Sequence, residues 1–366
     1  MSRGTVVVKI GSSTLVDARG RARPRVFGQL AADVAALTAA GTPVVLVSSG
    51  AIAMGLGSLG REQRSRRLPE LQAASAIGQS LLLRRWEAAL GRKGLRCAQV
   101  LLTVGDIHRR DGYLNARRTL ETLLGWGRVP VVNENDSTAT DEITFGDNDA
   151  LAAQVAVLLK ARLLVLLTDI DGLHDRDPRR PDAVPIAEVD DHRLLERLEL
   201  DKGRSSWGSG GMRSKLVAAR IASGAGCATL IASGREDHPI AALSEGARAT
   251  LVAAKGSAAG AYKQWIAGTL KPAGSLAVDA GAARALAGGK SLLPAGIVAV
   301  TGAFERGVCL SIVGPDGREL ARGISAYNSD EARLIAGHAT SRIEELLGYG
   351  GPDALIHRDD LVMLTR

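Results

Sequence analysis

The chain has 366 residues, of which 46% are hydrophobic and 23% are charged, and its formal net charge is +7. This length and composition indicate a globular protein of two domains and exclude a disordered, collagen-like or coiled-coil chain. No apolar run reaches the ~18–20 residues of a transmembrane helix. The first apolar run, residues 6–10, is too short for a signal-peptide core and contains a lysine, so we expect a cytoplasmic protein with no membrane partner.

Strand and helix signals alternate through the first part of the chain. Continuous apolar runs, typical of buried parallel strands, occur at residues 6–10, 44–47, 100–102, 129–132, 163–167 and 228–231. Apolar residues at helical spacing lie between them and predict helices that include residues 26–37, 150–160 and 212–223. The alternation predicts an α/β fold, a three-layer αβα sandwich around a mainly parallel sheet. In such folds ligands bind beyond the carboxyl ends of the strands.

The pattern changes after residue 255. Residues 256–273 read as a linker that follows a first domain of residues 1–255. Beyond it, short strand-like runs are separated by glycines, and residues 314–317 form a hairpin-type turn signal. We therefore predict a small, β-rich second domain over residues 274–366.

The dispersed cysteines and histidines argue against metal sites and disulfides. Cys97, Cys227 and Cys309 are an odd number of widely spaced thiols, which predicts buried cysteines in a reducing compartment. No His-Glu-x-x-His pair occurs among the six histidines, so a histidine-built metal site is not indicated, and we name no residue as a direct metal ligand.

Two glycine patterns resemble nucleotide motifs but lack their context. Gly289-Lys290-Ser291 has Arg284 where a phosphate-binding loop needs glycine, and no buried strand precedes it. The Gly-x-Gly-x-x-Gly pattern at residues 55–60 lies well past the end of the second strand. We reject both as nucleotide sites.

A lysine interrupts the first predicted strand. Lys9 is costly to bury unless its ammonium group reaches a polar site, and the following residues 11–13 are Gly-Ser-Ser, whose amides and hydroxyls suit an oxyanion. The alternative is a lysine on an edge strand whose ammonium group reaches solvent.

Polar residues also follow the second and fourth strands. Ser49 and Gly50 either cap the next helix or hold a carboxylate or phosphate. Residues 133–136 (Asn-Glu-Asn-Asp) and 146–149 (Gly-Asp-Asn-Asp) contain turn formers, which is ordinary in loops. So many amides and carboxylates together favour a cationic partner, such as an amino group or Mg²⁺.

Two further segments follow in the chain, and the second of them indicates anion binding. Thr168 and Asp169 follow the fifth strand, and the glycine-rich segment 208–215 opens a helix. Glycines let the backbone approach a phosphate, the helix N-terminus favours an anion, and Lys215 lies one turn in. A flexible hinge does not explain this lysine. Together these signals favour phosphoryl transfer, which depends on positioning and charge neutralisation.

These motifs resemble the amino-acid kinase family in order and spacing over essentially the whole chain. The segments that carry the resemblance are residues 9–13, 48–52, 133–136, 146–149 and 209–215. Residues 291–297, 327–330 and 357–360 look like a PUA domain. The resemblance is to members that phosphorylate the γ-carboxylate of free L-glutamate with ATP, giving L-glutamyl 5-phosphate for proline biosynthesis. It implies proline as a feedback inhibitor.

The resemblance also implies roles for individual residues. The catalytic residues are Lys9 and Lys215, which neutralise phosphate charge, and Asp149, which organises the lysines. The residues that hold glutamate are Ser49, Gly50, Asn133, Asp136, Asp147 and Asn148. The residues that hold ATP are Lys9, Thr168, Asp169, Ser209, Gly210, Gly211, Met212, Arg213, Ser214 and Lys215. Arg213 departs from the small polar residue of many members.

Cofactors and partners follow from the same resemblance. It implies ATP as co-substrate, Mg²⁺ held mainly through the nucleotide phosphates, and a homo-oligomer, either a dimer or a tetramer. The acyl phosphate product is labile, which makes transfer to a glutamyl-phosphate reductase plausible.

Other functions stay open at this point. Another carboxylate kinase of the family, acting on N-acetylglutamate or aspartate, would share the sheet and both lysines, as would carbamate and UMP kinases. PUA domains also bind RNA, but residues 274–366 contain 9 Lys+Arg against 11 Asp+Glu, and aromatic residues make up only 3% of the chain. RNA binding is therefore not expected. The rest of the chain is basic, which suits an anionic substrate or simply an arginine-rich surface.

Overall fold

The computed structural model describes residues 4–61, 67–108, 110–138, 148–176, 180–190, 211–255 and 272–364. They form two compact units. The first comprises the described residues up to 107 and from 115 to 255, and the second comprises residues 272–364 with the segment 108–114. Three residues of the predicted site, Asp147, Ser209 and Gly210, lie outside the described residues, as do residues 256–271 of the predicted linker.

The strands of the first unit are mostly short and apolar. They are β1 (Val6–Ile10), β2 (Val44–Ser48), β3 (Arg96–Leu102), β4 (Arg128–Glu134), β5 (Leu163–Thr168), β6 (Leu173–His174), β7 (Pro185–Ile186), β8 (Glu188–Val189), β9 (Ala228–Ser233) and β10 (Ala249–Val252). Among the described residues, eight of them form one sheet in the order β3-β4-β2-β1-β5-β9-β10-β8, while β6 pairs with β7. Neighbours from β3 to β9 are parallel, and β10 runs antiparallel to β9. The predicted mainly parallel sheet is confirmed.

The position of β1 in the sheet decides between the two interpretations of Lys9, a polar site or an edge strand. β1 lies inside the sheet, where Lys9 is opposite Val47 of β2 and Leu166 of β5. Because both neighbouring strands are present, Lys9 cannot be the solvent-reaching lysine of an edge strand.

Helices cover both faces of this sheet. They are α1 (Ser12–Leu15), α2 (Pro24–Ala39), α3 (Ala51–Ser58), α4 (Leu68–Gly91), α5 (Val104–His108), α6 (Arg110–Gly125), α7 (Asn148–Leu158), α8 (Met212–Gly224) and α9 (Pro239–Ser244). Val8 and Ile10 of β1 belong to a buried core that includes Trp86 of α4. Lys9 lies between them in sequence, so it points to the opposite face, where it contacts Asp149 of α7. Successive side chains of β1 thus contact helices on opposite faces of the sheet, as in the predicted three-layer αβα arrangement.

Gly55, the first glycine of the rejected Gly-x-Gly-x-x-Gly pattern, has a packing role. A Cβ on Gly55 of α3 would overlap the carbonyl oxygen of Ala74 in α4, and a Cβ on Gly78 of α4 would overlap that of Ala51 in α3. The two helices therefore approach with backbone against backbone. This close approach explains why position 55 is a glycine, and a bound nucleotide is not needed to explain it.

The second unit is β-rich, as predicted. Its strands are β11 (Ser275–Val278), β12 (Ile297–Thr301), β13 (Cys309–Val313), β14 (Glu319–Ile324) and β15 (Leu361–Met363), and its helices are α10 (Ala280–Ala287), α11 (Ser329–Ile335) and α12 (Ile343–Leu347). The sheet order is β12-β11-β13-β14-β15, with β11 parallel to β13 and the other neighbours antiparallel. Leu310, Tyr327 and Leu355 lie in its own buried core.

Within the part of the chain that the structure describes, no helix combines the length and the apolar character needed to cross a membrane.

Candidate active site

The carboxyl end of β1 brings Lys9 to a buried carboxylate. The Nζ atom of Lys9 lies 2.6 Å from Oδ1 of Asp149, in the first turn of α7. The Nζ atom of Lys215, in the first turn of α8, lies 3.1 Å from Oδ2 of the same carboxylate. The Ser214 hydroxyl donates a hydrogen bond of 2.6 Å to that Oδ2. One strand and two helices thus bring the three predicted catalytic residues into direct contact.

This cluster is almost completely shielded from water. Lys9 is 6% exposed, Lys215 5% and Asp149 1%. Burial alone raises the pKa of the Asp149 carboxyl, but the charges of Lys9 and Lys215 outweigh burial and hold this pKa well below its ordinary value of 3.8. Two ammonium groups around one carboxylate leave an excess positive charge for an anionic ligand.

The low pKa of Asp149 predicts a pH-dependent contribution to stability. A carboxyl whose pKa is lower in the folded than in the unfolded state stabilises the fold above the unfolded value of 3.8, and this contribution is lost as the pH falls through the folded value. We expect the difference in unfolding free energy between wild type and Asp149→Asn to be constant above about pH 5 and to shrink below about pH 4. Urea unfolding over this range measures it, and a difference that does not shrink in acid would contradict the ion pairs.

The start of α8 carries the described part of the glycine-rich segment. Gly211 occupies the N-cap position, and α8 begins at Met212. Ser214 was predicted to hold ATP, yet its hydroxyl contacts Asp149 and lies 2.9 Å from the carbonyl oxygen of Gly211. Arg213 is exposed. The N-terminal amide groups of this helix therefore lie next to Lys9 and Lys215, where an anion is favoured.

Asn148 connects two of the residues predicted to hold glutamate. Its Nδ2 atom lies 2.8 Å from Oγ of Ser49 and 2.9 Å from Oδ1 of Asn133. The N-cap of α3 is Gly50, in a left-handed conformation with φ of 110° that favours glycine, and Gly50 itself offers no side-chain cap. Within the described residues, Oδ1 of Asn148 is buried and has no hydrogen-bond partner. One buried acceptor is therefore available to a ligand.

Asp136 is held by α4, which sequence reasoning missed. The Ser75 hydroxyl donates a hydrogen bond of 2.6 Å to Oδ2 of Asp136. One turn later in α4, Nε2 of Gln79 donates to the carbonyl oxygen of Glu134 at 3.2 Å. A signal was present in the sequence, because Ser75 and Gln79 fall at helical spacing on the face that buries Leu82. Polar side chains on a buried face need partners.

The ends of β5 and β9 form the neighbouring part of the sheet edge. The Thr168 hydroxyl lies 3.1 Å from Oδ1 of Asp169, and the amide of Gly234 donates to the carbonyl oxygen of Thr168 at 2.7 Å. The guanidinium group of Arg235 lies 3.9 Å from the Asp169 carboxylate. Sequence reasoning did not name Arg235, although it follows a predicted strand. Strand β5 is the neighbour of β1 in the sheet. Thr168 and Asp169, which were predicted to hold ATP, therefore lie at the end of the strand next to that of Lys9.

Comparisons with known proteins agree with this architecture. The amino acid kinase family model matches residues 4–233, and the PUA domain model matches residues 274–347. Glutamate 5-kinase 1 of Rhizobium meliloti is 50% identical over 361 residues, which cover 98% of this chain and 91% of the relative. Glutamate 5-kinase of Paramagnetospirillum magneticum is 51% identical over 362 residues, covering 98% and 97%.

The fold of this chain also resembles that of a solved structure. The carbamate kinase from Giardia lamblia bound to AMP-PNP has a TM-score of 0.51 and 20% sequence identity, covering 70% of this chain and 100% of that chain. At this identity the likeness shows the fold alone.

Proposed function

The chain belongs to the amino acid kinase family, within its glutamate 5-kinase group, and we propose that it transfers the γ-phosphoryl group of ATP to the γ-carboxylate of L-glutamate. The product would be L-glutamyl 5-phosphate, in the first step of proline biosynthesis. The observation that carries this proposal is the buried Asp149 carboxylate between the ammonium groups of Lys9 and Lys215.

The proposed reaction needs charge neutralisation more than proton transfer. The unperturbed pKa of a glutamate side chain is ~4.3, so the nucleophile is already ionised at neutral pH and needs no general base. A carboxylate oxygen forms a bond to the γ-phosphorus while the bond to the bridging oxygen of ADP breaks. Both reactants are anions, and the excess positive charge of Lys9 and Lys215 over Asp149 lowers their repulsion.

The polar cluster beside the lysines suits an amino acid. The carboxylate of Asp136 and the buried Oδ1 of Asn148 are acceptors that complement an ammonium group. The Ser49 hydroxyl, bonded to Asn148, adds a group that can donate to a carboxylate. Asn133 orients Asn148, while Gly50 and Asp147 complete the set proposed for glutamate.

We place ATP at the ends of β5 and β9 and at the start of α8. Thr168 and Asp169 would contact the nucleoside part, and the segment from Gly211 to Lys215 would bind the phosphates, as helix N-termini do. We also propose contacts to ATP from Ser209, Gly210, Met212 and Arg213.

Mg²⁺ is proposed to bind through the nucleotide phosphates. Within the described ranges, no group of three or more His, Cys, Asp or Glu residues is arranged to hold a metal ion. The most buried carboxylate of the site, Asp149, is already engaged by two lysines. Mg²⁺ readily keeps water and phosphate oxygens as its ligands, and when bound it would neutralise further phosphate charge.

The test is glutamate-dependent ADP release with Mg-ATP in the presence of hydroxylamine, which traps an acyl phosphate as hydroxamate. Wild type should form hydroxamate from glutamate. Asn148→Ala should raise KM for glutamate about 10-fold or more, because it removes buried hydrogen bonds, and leave KM for ATP within about twofold. Asn115→Ala, at an exposed position of α6, is the matched control and should behave as wild type.

Three results would separate the alternatives. Hydroxamate from N-acetylglutamate or aspartate, with none from glutamate, would retain the kinase but overturn the acceptor. Absence of turnover with every carboxylate would overturn the proposed function. Equal effects of Asn148→Ala on both KM values would contradict its place in the glutamate site.

Regulation and assembly are proposed from the family relationship. Proline has the ammonium and carboxylate groups of an amino acid, so we propose that it inhibits by occupying the glutamate site. It should raise KM for glutamate without changing kcat. The same proposal includes a homo-oligomer, either a dimer or a tetramer, and transfer of the labile product to a reductase.

A cytoplasmic location is proposed as well and suits the cysteines. All three are free thiols. Burial raises the pKa of Cys227 to about 12 and those of Cys97 and Cys309 to about 11. Such thiols react slowly and fit a reducing environment.

A further inference from the structure

We infer that Ser75 is a positioning residue that sets the affinity for glutamate through Asp136, an inference that rests on the proposed function. Ser75 is 0% exposed and Asp136 5% exposed, and their oxygen atoms Oγ and Oδ2 lie 2.6 Å apart. This distance is typical of a hydroxyl that donates to an ionised carboxylate, one of the stronger hydrogen bonds in proteins.

The two partners differ in how firmly the fold holds them. Ser75 belongs to α4, which packs against α3 through Gly78 and contributes Trp86 to the buried core. Asp136 lies in the turn after β4. Its orientation therefore depends on contacts from neighbouring elements, and the Ser75 hydroxyl comes from a well-packed helix.

A second bond from α4 acts on the same segment. Gln79, one turn after Ser75, donates to the carbonyl oxygen of Glu134. Helix α4 thus holds the backbone at Glu134 and the side chain at Asp136. A carboxylate fixed in this way can meet an ammonium group without first losing rotational freedom, which strengthens binding.

The first experiment separates the two substrates. Ser75→Ala removes the hydroxyl and should raise KM for glutamate about 10-fold, while kcat changes less than about threefold and KM for ATP less than about twofold. Ser80→Ala is the matched control, because Ser80 lies on the exposed face of the same helix and its hydroxyl donates to the nearby carbonyl oxygen of Ile77. It should leave all three constants unchanged.

A double-mutant cycle distinguishes positioning from general loss of structure. If Ser75 acts through Asp136, Ser75→Ala should have little further effect on KM for glutamate in an Asp136→Asn background. Ser75→Thr keeps the hydroxyl and should restore most of the affinity. If its extra methyl group prevents folding, the cycle decides alone.

Each failure has its own meaning. If the wild-type enzyme phosphorylates glutamate and Ser75→Ala leaves KM for glutamate unchanged, this inference alone is overturned. An equal rise of KM in both backgrounds, or for both substrates, would also overturn it and indicate a structural role. A wild-type enzyme that does not phosphorylate glutamate would overturn the proposed function and this inference together.

Discussion

Asp149→Asn is expected to lower kcat for glutamate phosphorylation about 100-fold or more and to reduce stability by about 3–5 kcal/mol. The amide has nearly the same shape but no charge. Lys9 and Lys215 would then keep two buried ammonium groups that face each other without the carboxylate between them. They would move apart or lose a proton, and neither change leaves the phosphates correctly neutralised. Hydroxamate formation and urea unfolding measure the two effects.

The control for this substitution is Asp237→Asn. Asp237 also bonds to a cation, Arg25, and to Gln29, but Asp237 and Arg25 are exposed and Gln29 is only half-buried. Exposed ion pairs contribute little because water screens them, so activity and stability should stay close to wild type. A kcat of Asp149→Asn within about threefold of wild type, in a folded protein, would contradict the proposed role of the cluster.

Gly78→Ala should destabilise the protein by about 3 kcal/mol or more. The added Cβ would overlap the carbonyl oxygen of Ala51, and a backbone atom inside a packed helix cannot move aside as a flexible side chain can. The helices would have to separate, which would disturb the core around Trp86. Urea unfolding, with soluble yield as a second measure, tests this expectation.

Gly28→Ala is its matched control. Gly28 also lies inside a helix, α2, but within the part of the chain that the structure describes a Cβ there would meet no heavy atom beyond the helix's own backbone within 4 Å. Alanine favours a helix over glycine by about 1 kcal/mol, so this variant should be as stable as wild type or slightly more stable. Equal destabilisation by both substitutions would show that helical glycine itself, and not the α3–α4 contact, is responsible.

The fold was largely predictable because its signals are local. Buried parallel strands need apolar residues on both faces, so the run at β1 is visible in the sequence, as is the alternation that placed helices on both sides. Lys9 was recognised because a charged residue inside such a run has to reach a polar site. The glycine-rich start of α8 was recognised from another local signal, because glycines, a helix N-terminus and Lys215 one turn later together favour an anion.

What the sequence by itself determined was the class of fold, the order of its elements and the residue types at the strand ends. Which of those residues touch was decided by the tertiary structure. Ser75 and Asp136 are 61 positions apart, and Ser49 and Asn148 are 99 apart. Such contacts depend on the order of strands in the sheet and on how closely α4 packs. The physical reason is that local preferences act over a few residues, whereas a hydrogen bond needs two atoms within about 3 Å.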